Sequence, residues 1–177
     1  REEGPFHRTS HFSIFDEDDA QGAMKKVLKS GGFSREEYNP MTLRNTLSKV
    51  KNELLDLDAW EDEEEQRILR GYESFLQENN AFDFDDLIQK VVALFIQQPP
   101  ALKKYRGRFR YILIDEYQDV NPAQYTLVKL LAEEHCNLNV VGDDAQAIYG
   151  WRSADVKNFL RFENDWPHAK VVLLEQN

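Results

Sequence analysis

The chain has 177 residues, 41% hydrophobic and 31% charged, a composition typical of globular proteins and too apolar for a disordered one. Its 22 basic and 32 acidic residues give a net charge of −10, unlike proteins that coat nucleic acid with a broad basic face. Cys136 is the only cysteine, no apolar run approaches the roughly 18 residues of a membrane span, and no signal peptide opens the chain; we therefore expect a cytoplasmic protein with no membrane association.

The part of the chain before Pro99 predicts mainly helices. Asp16 is suited to cap the first helix, and Gly31-Gly32 is suited to end it. Four sets of apolar residues repeat at helical spacing. They are Ala20, Ala23, Met24, Val27 and Leu28; Leu43, Leu47, Val50 and Leu54; Ile68, Leu69, Tyr72, Phe75 and Leu76; and Leu87, Ile88, Val91, Val92 and Phe95. The acidic run 56–65 is typical of a solvated loop and a helix start.

The part after Pro100 predicts alternating strands and helices. Three short apolar runs end in polar residues, as fully buried strands do: 111–114, 138–141 and 171–174. Asn121 and Pro122 are suited to begin a helix between the first two runs, and residues 156–160 suggest another between the last two. This alternation predicts a parallel sheet, in which chemistry gathers at the carboxyl ends of the strands.

The first predicted strand leads into two acidic residues, Asp115 and Glu116. A carboxylate at the carboxyl edge of a sheet suits Mg²⁺, a hard cation that prefers oxygen ligands and keeps several waters. In P-loop ATPases an aspartate after such a strand holds magnesium, and a neighbouring acid can orient and deprotonate the attacking water. The alternative is that both acids merely end a strand and cap a turn.

The second predicted strand leads into a polar segment, residues 140–155, with further candidates. The amide of Gln146 follows the strand closely enough to contact a terminal phosphate or its attacking water. Tyr149 and Trp151 are two residues apart, so in an extended segment their rings would point the same way. Such rings can stack on nucleic-acid bases, with about 1–3 kcal/mol per base and little dependence on sequence. The alternative is that both rings are buried in a hydrophobic core.

These segments resemble those of a known family. DEYQD (115–119), GDDAQAIYGWR (142–152) and VVLLEQN (171–177) resemble motifs II, III and the start of motif IV of UvrD/Rep/PcrA-type superfamily 1 DNA helicases. KNELL (51–55) resembles part of the family's helical insertion, and FDFDDLI (82–88) resembles the segment where that insertion rejoins the first motor domain. The resemblance covers essentially the whole chain.

The resemblance implies an α/β fold, with a partial RecA-like (P-loop NTPase) parallel sheet and an all-helical insertion subdomain. Residues 1–82 would form the mostly helical insertion, called 1B. Residues 83–177 would form the carboxyl-terminal part of motor domain 1A, with motifs II, III and the start of IV. Lys49, Lys51 and Asn52 of the insertion would be plausible contacts to the DNA backbone.

The resemblance also implies roles for the matching motif residues. Asp115 would hold Mg²⁺, Glu116 would activate the hydrolytic water, and Gln146 would sense the terminal phosphate of ATP. Tyr149 and Trp151 would stack on single-stranded DNA. Arg152, in the same segment, would help to couple DNA to the nucleotide site.

The implied parent protein is an ATP-dependent DNA helicase that moves 3′ to 5′ on single-stranded DNA and unwinds 3′-tailed duplex DNA. The sequence contains no G-x-x-x-x-G-K-[ST] phosphate loop and no initiator Met. We therefore expect an internal fragment that is inactive alone and needs the Walker A segment and second motor domain of the parent chain. Two alternatives stay open: the motor of a RecB/AddA-like helicase-nuclease, and a catalytically silent DNA-binding or interaction module.

Overall fold

The computed structural model describes residues 4–34, 36–143 and 162–173. The α-helices in these ranges are α1 (Glu17–Gly31), α2 (Pro40–Asn52), α3 (Glu63–Glu78), α4 (Asp86–Gln97), α5 (Pro99–Arg108), α6 (Pro122–Ala132) and α7 (Phe162–Asp165). The strands are β1 (Ser13–Phe15), β2 (Ala81–Asp83), β3 (Ile112–Ile114) and β4 (Leu138–Val140). Short 3₁₀ helices occupy Pro5–His7, Leu57–Ala59 and Tyr117–Asp119. The described residues therefore combine helices with short strands, as predicted.

The first helix begins and ends at the residues that the sequence indicates. The Asp16 side chain accepts a hydrogen bond from the backbone N–H of Asp19 at 2.9 Å, which caps α1. Gly32 follows the helix with a φ of 74°, a left-handed conformation that glycine adopts without strain because it has no Cβ. The bounds of α1 are thus set by local chemistry.

The second helix is shorter than the apolar spacing predicts. α2 starts after the cap Asn39 and ends at Asn52. Leu54, expected on the apolar face of this helix, lies beyond it with a φ of 55°. The backbone turns left-handed there, so that Leu54 cannot continue the helix.

The main hydrophobic core lies between α1, α2 and α3. Its buried residues are largely the predicted apolar faces: Ala20, Ala23, Met24, Val27, Leu28, Leu43, Leu47, Ile68, Leu69, Tyr72, Leu76 and Ala81. Gly71 allows α3 to approach α1, because a Cβ at this position would lie 3.0 Å from Cγ1 of Val27. Each large aliphatic side chain buried here stabilises the fold by about 1.5–3 kcal/mol. The core therefore makes the three helices one packed unit.

A two-stranded parallel sheet joins the two ends of this helical unit. Strand β1 pairs with β2 in the register Ser13 to Ala81 and Phe15 to Asp83. The side chain of Asn80 secures the start of the pairing, since it donates to the carbonyl of His11 at 2.9 Å. The expectation of an all-helical insertion is therefore wrong. Each strand has three residues, too few for the alternation that identifies a strand in a sequence.

Pro99 begins a helix and does not mark a linker. It occupies the first turn of α5, where a missing backbone N–H costs nothing. Helix α5 packs against α4 and α6. The change of sequence pattern at Pro99-Pro100 therefore coincides with continuous packing between neighbouring helices.

The second sheet confirms two of the predicted strands and their direction, but not their predicted full burial, since Leu113 is 71% exposed. Strands β3 and β4 pair in parallel, with Ile112 opposite Leu138 and Ile114 opposite Val140. Helix α6 connects them, and a reciprocal capping box forms at its start between Asn121 and Gln124. The parallel arrangement brings the carboxyl ends of β3 and β4 to the same edge.

The third predicted strand is not formed in the part of the chain that the structure describes. Residues 171–173 have no regular secondary structure, and the side chains of Val171, Val172 and Leu173 are 60%, 78% and 75% exposed. An apolar run becomes a strand only where a neighbouring strand pairs its backbone N–H and C=O groups, and among the described residues neither β3 nor β4 pairs with this run. Residue 174 and the predicted helix at residues 156–160 lie outside the described residues.

Candidate active site

The candidate site is built on the turn that follows β3. The backbone pairing of the two strands continues into this turn: Val141 donates to the Ile114 carbonyl at 2.8 Å, and Tyr117 donates to the Val141 carbonyl at 2.9 Å. Asp115 and Glu116 lie between these two bonds, and both are exposed. The sheet therefore presents the predicted pair of carboxylates at its carboxyl edge.

Glu116 adopts an unusual backbone conformation within this turn. Its φ of 51° and ψ of 44° are left-handed, and its N–H is held by the side chain of Asp115 at 3.0 Å. A non-glycine residue held in such a region costs on the order of 1–3 kcal/mol, and such residues cluster at functional sites. The turn thus fixes the direction in which the Glu116 side chain leaves the backbone.

Gln118 joins the carboxylate of Glu116 to the end of the neighbouring strand. Its side-chain Nε2 donates to Oε2 of Glu116 at 2.6 Å. Its Oε1 accepts the backbone N–H of Asp143, three residues beyond β4, at 3.0 Å. Gln118 itself is only 1% exposed. The sequence interpretation gave this residue no role, although it is part of the DEYQD segment; only the spatial proximity of β4 reveals its contacts.

The two carboxylates border a cleft of about 720 Å³. The cleft is lined by the turn and by the first half of α6: Ile114, Asp115, Glu116, Asp119, Val120, Asn121, Gln124, Leu127 and Val128. Oδ1 of Asp119 is buried and makes no hydrogen bond with the described residues. The cleft therefore has an acidic rim on the strand side and an apolar wall on the helix side.

The chemistry of this rim fits Mg²⁺. Carboxylate oxygens are the protein ligands that magnesium prefers, and it commonly uses one or two of them together with waters and substrate phosphates. Within the described ranges no group of three or more His, Cys, Asp or Glu side chains could hold a metal ion by itself. Asp115, exposed at the rim of the cleft, could supply such a carboxylate ligand.

The other predicted site residues cannot be located. Gln146, Tyr149, Trp151 and Arg152 belong to residues 144–161, which lie outside the described part of the chain. Their assigned contacts to phosphate and to DNA bases therefore stay predictions. Asp143, three positions before Gln146, is the last described residue after β4 and before this gap.

The prediction that Lys51 contacts the DNA backbone is wrong. Lys51 is 4% exposed, and its Nζ lies 2.7 Å from Glu73, 2.9 Å from Asp83 and 2.9 Å from Asp86. In the sequence, a lysine near the end of a helix suggests an exposed side chain. In the structure, Lys51 neutralises buried carboxylates. Only Lys49, which is exposed, still fits the expectation of a DNA contact.

Asn52 is also engaged within the protein. Its Nδ2 donates to Asp85 at 2.9 Å and to Ser48 at 3.1 Å, and its Oδ1 accepts from Nδ2 of Asn121 at 2.9 Å. Asn121 caps α6 and lies two residues after the end of the DEYQD segment. The helical unit is therefore hydrogen-bonded to the element that carries the candidate site.

The buried charges around Lys51 shift each other's ionisation. Burial alone would lower the pKa of Lys51, but the negative charges of Glu73, Asp83 and Asp86 outweigh it and raise that pKa above its usual value. Burial alone would raise the pKa of Glu73, but the positive charges of Lys51 and Lys90 outweigh it and lower that pKa to about 2. Burial is the largest influence on Asp86 and raises its pKa. Lys51 is thus held charged by the surrounding acids.

The sequence of this chain is similar to those of known proteins over most of its length. The family described as "UvrD/REP helicase N-terminal domain" matches residues 3–167. The chain belongs to this family. Among the curated relatives, the ATP-dependent DNA helicase PcrA of Staphylococcus epidermidis (strain ATCC 12228 / FDA PCI 1200) is 44% identical over 174 residues, which cover 94% of this chain and 24% of the relative. PcrA of Staphylococcus aureus (strain NCTC 8325 / PS 47) gives the same identity and coverage.

Membership of the UvrD/REP helicase family confirms the resemblance seen in the sequence. The chain spans about a quarter of the length of the curated relatives it matches. The matched range contains the DEYQD segment and residues 142–152. No helix among the described residues is both long and apolar enough to cross a membrane.

Proposed function

We propose that this chain is part of an ATP-dependent DNA helicase motor and carries the hydrolytic half of its ATPase site. The observation that carries the proposal is the pair Asp115 and Glu116, exposed at the carboxyl edge of a parallel sheet and bordering a cleft. The PcrA relatives bear the name ATP-dependent DNA helicase, which supports the same reaction. In this proposal β3, β4 and α6 belong to a RecA-like motor domain 1A spanning residues 83–177. Residues 1–82 form the insertion.

Each carboxylate has its own part in the proposed chemistry. Asp115 would hold Mg²⁺, which would supply positive charge against the ATP phosphates. Glu116 orients the attacking water and takes its proton, while the water oxygen bonds to the terminal phosphorus and the bond to the ADP oxygen breaks. The left-handed backbone of Glu116 supports this assignment, because non-glycine residues held in such a conformation cluster at functional sites.

DNA binding is assigned to the segment that follows β4. Tyr149 and Trp151 stack on single-stranded DNA, Arg152 helps to couple the DNA to the nucleotide site, and Gln146 senses the terminal phosphate. The spacing of two residues between the rings supports the proposal. The resemblance of residues 142–152 to motif III of the family supports it as well. The motor moves 3′ to 5′ and unwinds 3′-tailed duplex DNA in the cytoplasm.

The 177 residues alone are proposed to be inactive. They contain no G-x-x-x-x-G-K-[ST] string, the loop whose backbone N–H groups cradle the phosphates. That loop and a second motor domain would come from the rest of the parent chain. Magnesium-dependent ATP turnover by the purified 177-residue chain would contradict this part of the proposal.

The decisive experiment is steady-state ATP hydrolysis by the full-length protein, with and without single-stranded DNA. Strong stimulation by DNA supports a nucleic-acid motor. Hydrolysis without stimulation would leave an ATPase that is not a DNA motor, and DNA binding without any hydrolysis would favour a silent binding module. Glu116→Gln is expected to lower kcat by at least about a hundredfold while a fluorescent ATP analogue still binds, because the general base is lost but the phosphate contacts are not. Glu133→Gln, an exposed carboxylate on the far end of α6, is the matched control. Turnover by Glu116→Gln within a few-fold of wild type would refute the assignment.

A further inference from the structure

The buried amide of Gln118 has two hydrogen-bond partners at the candidate site. Nε2 donates to Oε2 of Glu116 at 2.6 Å, and Oε1 accepts from the Asp143 N–H at 3.0 Å. We propose that Gln118 is a positioning residue for hydrolysis: it fixes the Glu116 carboxylate for attack and ties it to the end of β4. The inference rests on the proposed function, since it gives Gln118 a task only if Glu116 is the general base.

The burial of Gln118 argues that this orientation is fixed. A primary amide removed from water costs free energy unless both its donor and its acceptor are paired. Gln118 is 1% exposed, and each end of its amide has one of these two partners. Turning the amide would leave a buried donor facing the Asp143 N–H. The side chain is therefore held in one arrangement, with its N–H directed at Glu116.

This contact restrains a carboxylate that is otherwise free to move. Glu116 is exposed, and an exposed glutamate samples many rotamers. A hydrogen bond to a charged acceptor is short and strong, and it engages Oε2 only. Among the described residues Oε1 has no donor, so that it can accept the proton of the attacking water. General-base catalysis depends on such placement before it depends on acidity.

The contact with Asp143 extends the restraint to the next strand. Asp143 lies three residues after Val140 and three before Gln146, in the segment assigned to phosphate sensing and DNA binding. A movement of that backbone relative to β3 would shift Gln118 and, through one hydrogen bond, the Glu116 carboxylate. Gln118 thus links the general base to the segment to which the proposed function assigns DNA binding.

The test compares three variants of the full-length protein. Gln118→Met keeps the length of the side chain but removes both hydrogen bonds. Gln118→Glu keeps an oxygen for the Asp143 N–H but replaces the donor to Glu116 by a repelling carboxylate. Gln97→Met, at the exposed end of α4, controls for the introduction of methionine. For each variant we would measure kcat and KM for ATP, stimulation by single-stranded DNA, affinity for a fluorescent ATP analogue, and Tm.

Both Gln118 variants are expected to lower kcat about tenfold to a hundredfold, the usual cost of losing a partner that orients a functional group. Analogue affinity and KM should stay near wild type, and stimulation by DNA should fall. In single-turnover hydrolysis, Gln118→Met should add no further loss to Glu116→Gln, because it acts through Glu116. A kcat within about twofold of wild type, or an equal loss in both backgrounds, would overturn the inference.

The controls separate this inference from the proposed function. If wild type lacks DNA-stimulated hydrolysis, or if Glu116→Gln keeps it, the proposed function fails and Gln118 loses its assigned task. If Glu116→Gln is inactive but both Gln118 variants hydrolyse ATP normally, only the inference fails. If analogue affinity and Tm fall in proportion to kcat in both variants, Gln118 is a structural residue and the inference is refuted.

Discussion

Lys51 and Asp83 form a buried ion pair, with Nζ 2.9 Å from Oδ2, that joins the end of α2 to β2. Their side chains are 4% and 1% exposed. Lys51 also contacts Glu73 on α3 and Asp86 at the start of α4, so that one ammonium group connects four elements. A single buried charge cluster therefore connects α2, α3, β2 and α4.

Replacing Lys51 by methionine should destabilise the protein strongly. Removing one partner of a buried ion pair leaves uncompensated charges, which costs about 3–5 kcal/mol. Urea unfolding of the 177-residue chain measures this loss. The control is Arg70→Ala, which breaks an exposed ion pair with Asp58 worth about 0–1 kcal/mol. Equal effects of the two substitutions would show that the Lys51 cluster is not a major source of stability.

Acidification should weaken the fold through Glu73. Its pKa in the folded protein is about 2, below the ordinary 4.5, mainly because Lys51 and Lys90 outweigh the opposing effect of burial. A lowered carboxyl pKa gives stability that is present above the unfolded pKa and is lost as the pH falls from 4.5 towards 2. The difference in unfolding free energy between wild type and Glu73→Gln should therefore shrink from about pH 7 to about pH 3. The Glu73 charge also raises the pKa of Asp86, so the difference reports Glu73 together with its effect on Asp86; a constant difference would contradict the prediction.

Asn52 and Asn121 should be energetically coupled. Their side chains are hydrogen-bonded at 2.9 Å although they lie 69 positions apart. A double-mutant cycle with Asn52→Ala and Asn121→Ala should give a coupling of about 0.5–1.5 kcal/mol, the usual net value of a hydrogen bond. Asp62→Ala removes the cap of α3 and should be additive with Asn52→Ala. Additivity in both pairs would mean that the hydrogen bond between Asn52 and Asn121 does not stabilise the contact between α2 and α6.

Trp151→Ala should reduce DNA-stimulated ATP hydrolysis by the full-length protein more than basal hydrolysis. The stacking assigned to this ring contributes about 1–3 kcal/mol per base, and only the DNA-bound state contains it. The measurement is kcat with and without single-stranded DNA, together with the DNA concentration that gives half-maximal stimulation. Equal loss of both activities would identify Trp151 as a core residue.

Local chemistry made several parts of this fold predictable. Helix α1 begins after Asp16 and ends before Gly32, and α6 begins after Asn121 with Pro122 as its first residue. These residues mark helix ends because the free backbone groups there need partners. The apolar repeat of α1 forms its buried face. The carboxylates Asp115 and Glu116 follow a strand, as expected, although the structure leaves Leu113 of that strand exposed.

Contacts between residues far apart in sequence were not predictable in the same way. Strands β1 and β2 are three residues each and separated by most of the helical unit, so neither has a pattern of its own. The run 171–173 has the composition of a strand, but composition does not supply a neighbouring strand to pair with. Leu54 continues an apolar repeat, yet the backbone has already turned.

The sequence by itself determined the family, the ends of α1, the start of α6 and the carboxylate pair, because motifs, caps and apolar spacing act over a few residues. Only the tertiary structure decided that Lys51 is a buried counter-charge and that Gln118 connects Glu116 with Asp143. The sequence does not distinguish a lysine or a glutamine on the surface from one in the core. The role of such a residue depends on which distant groups the fold brings within hydrogen-bond distance, and on how much water the fold removes.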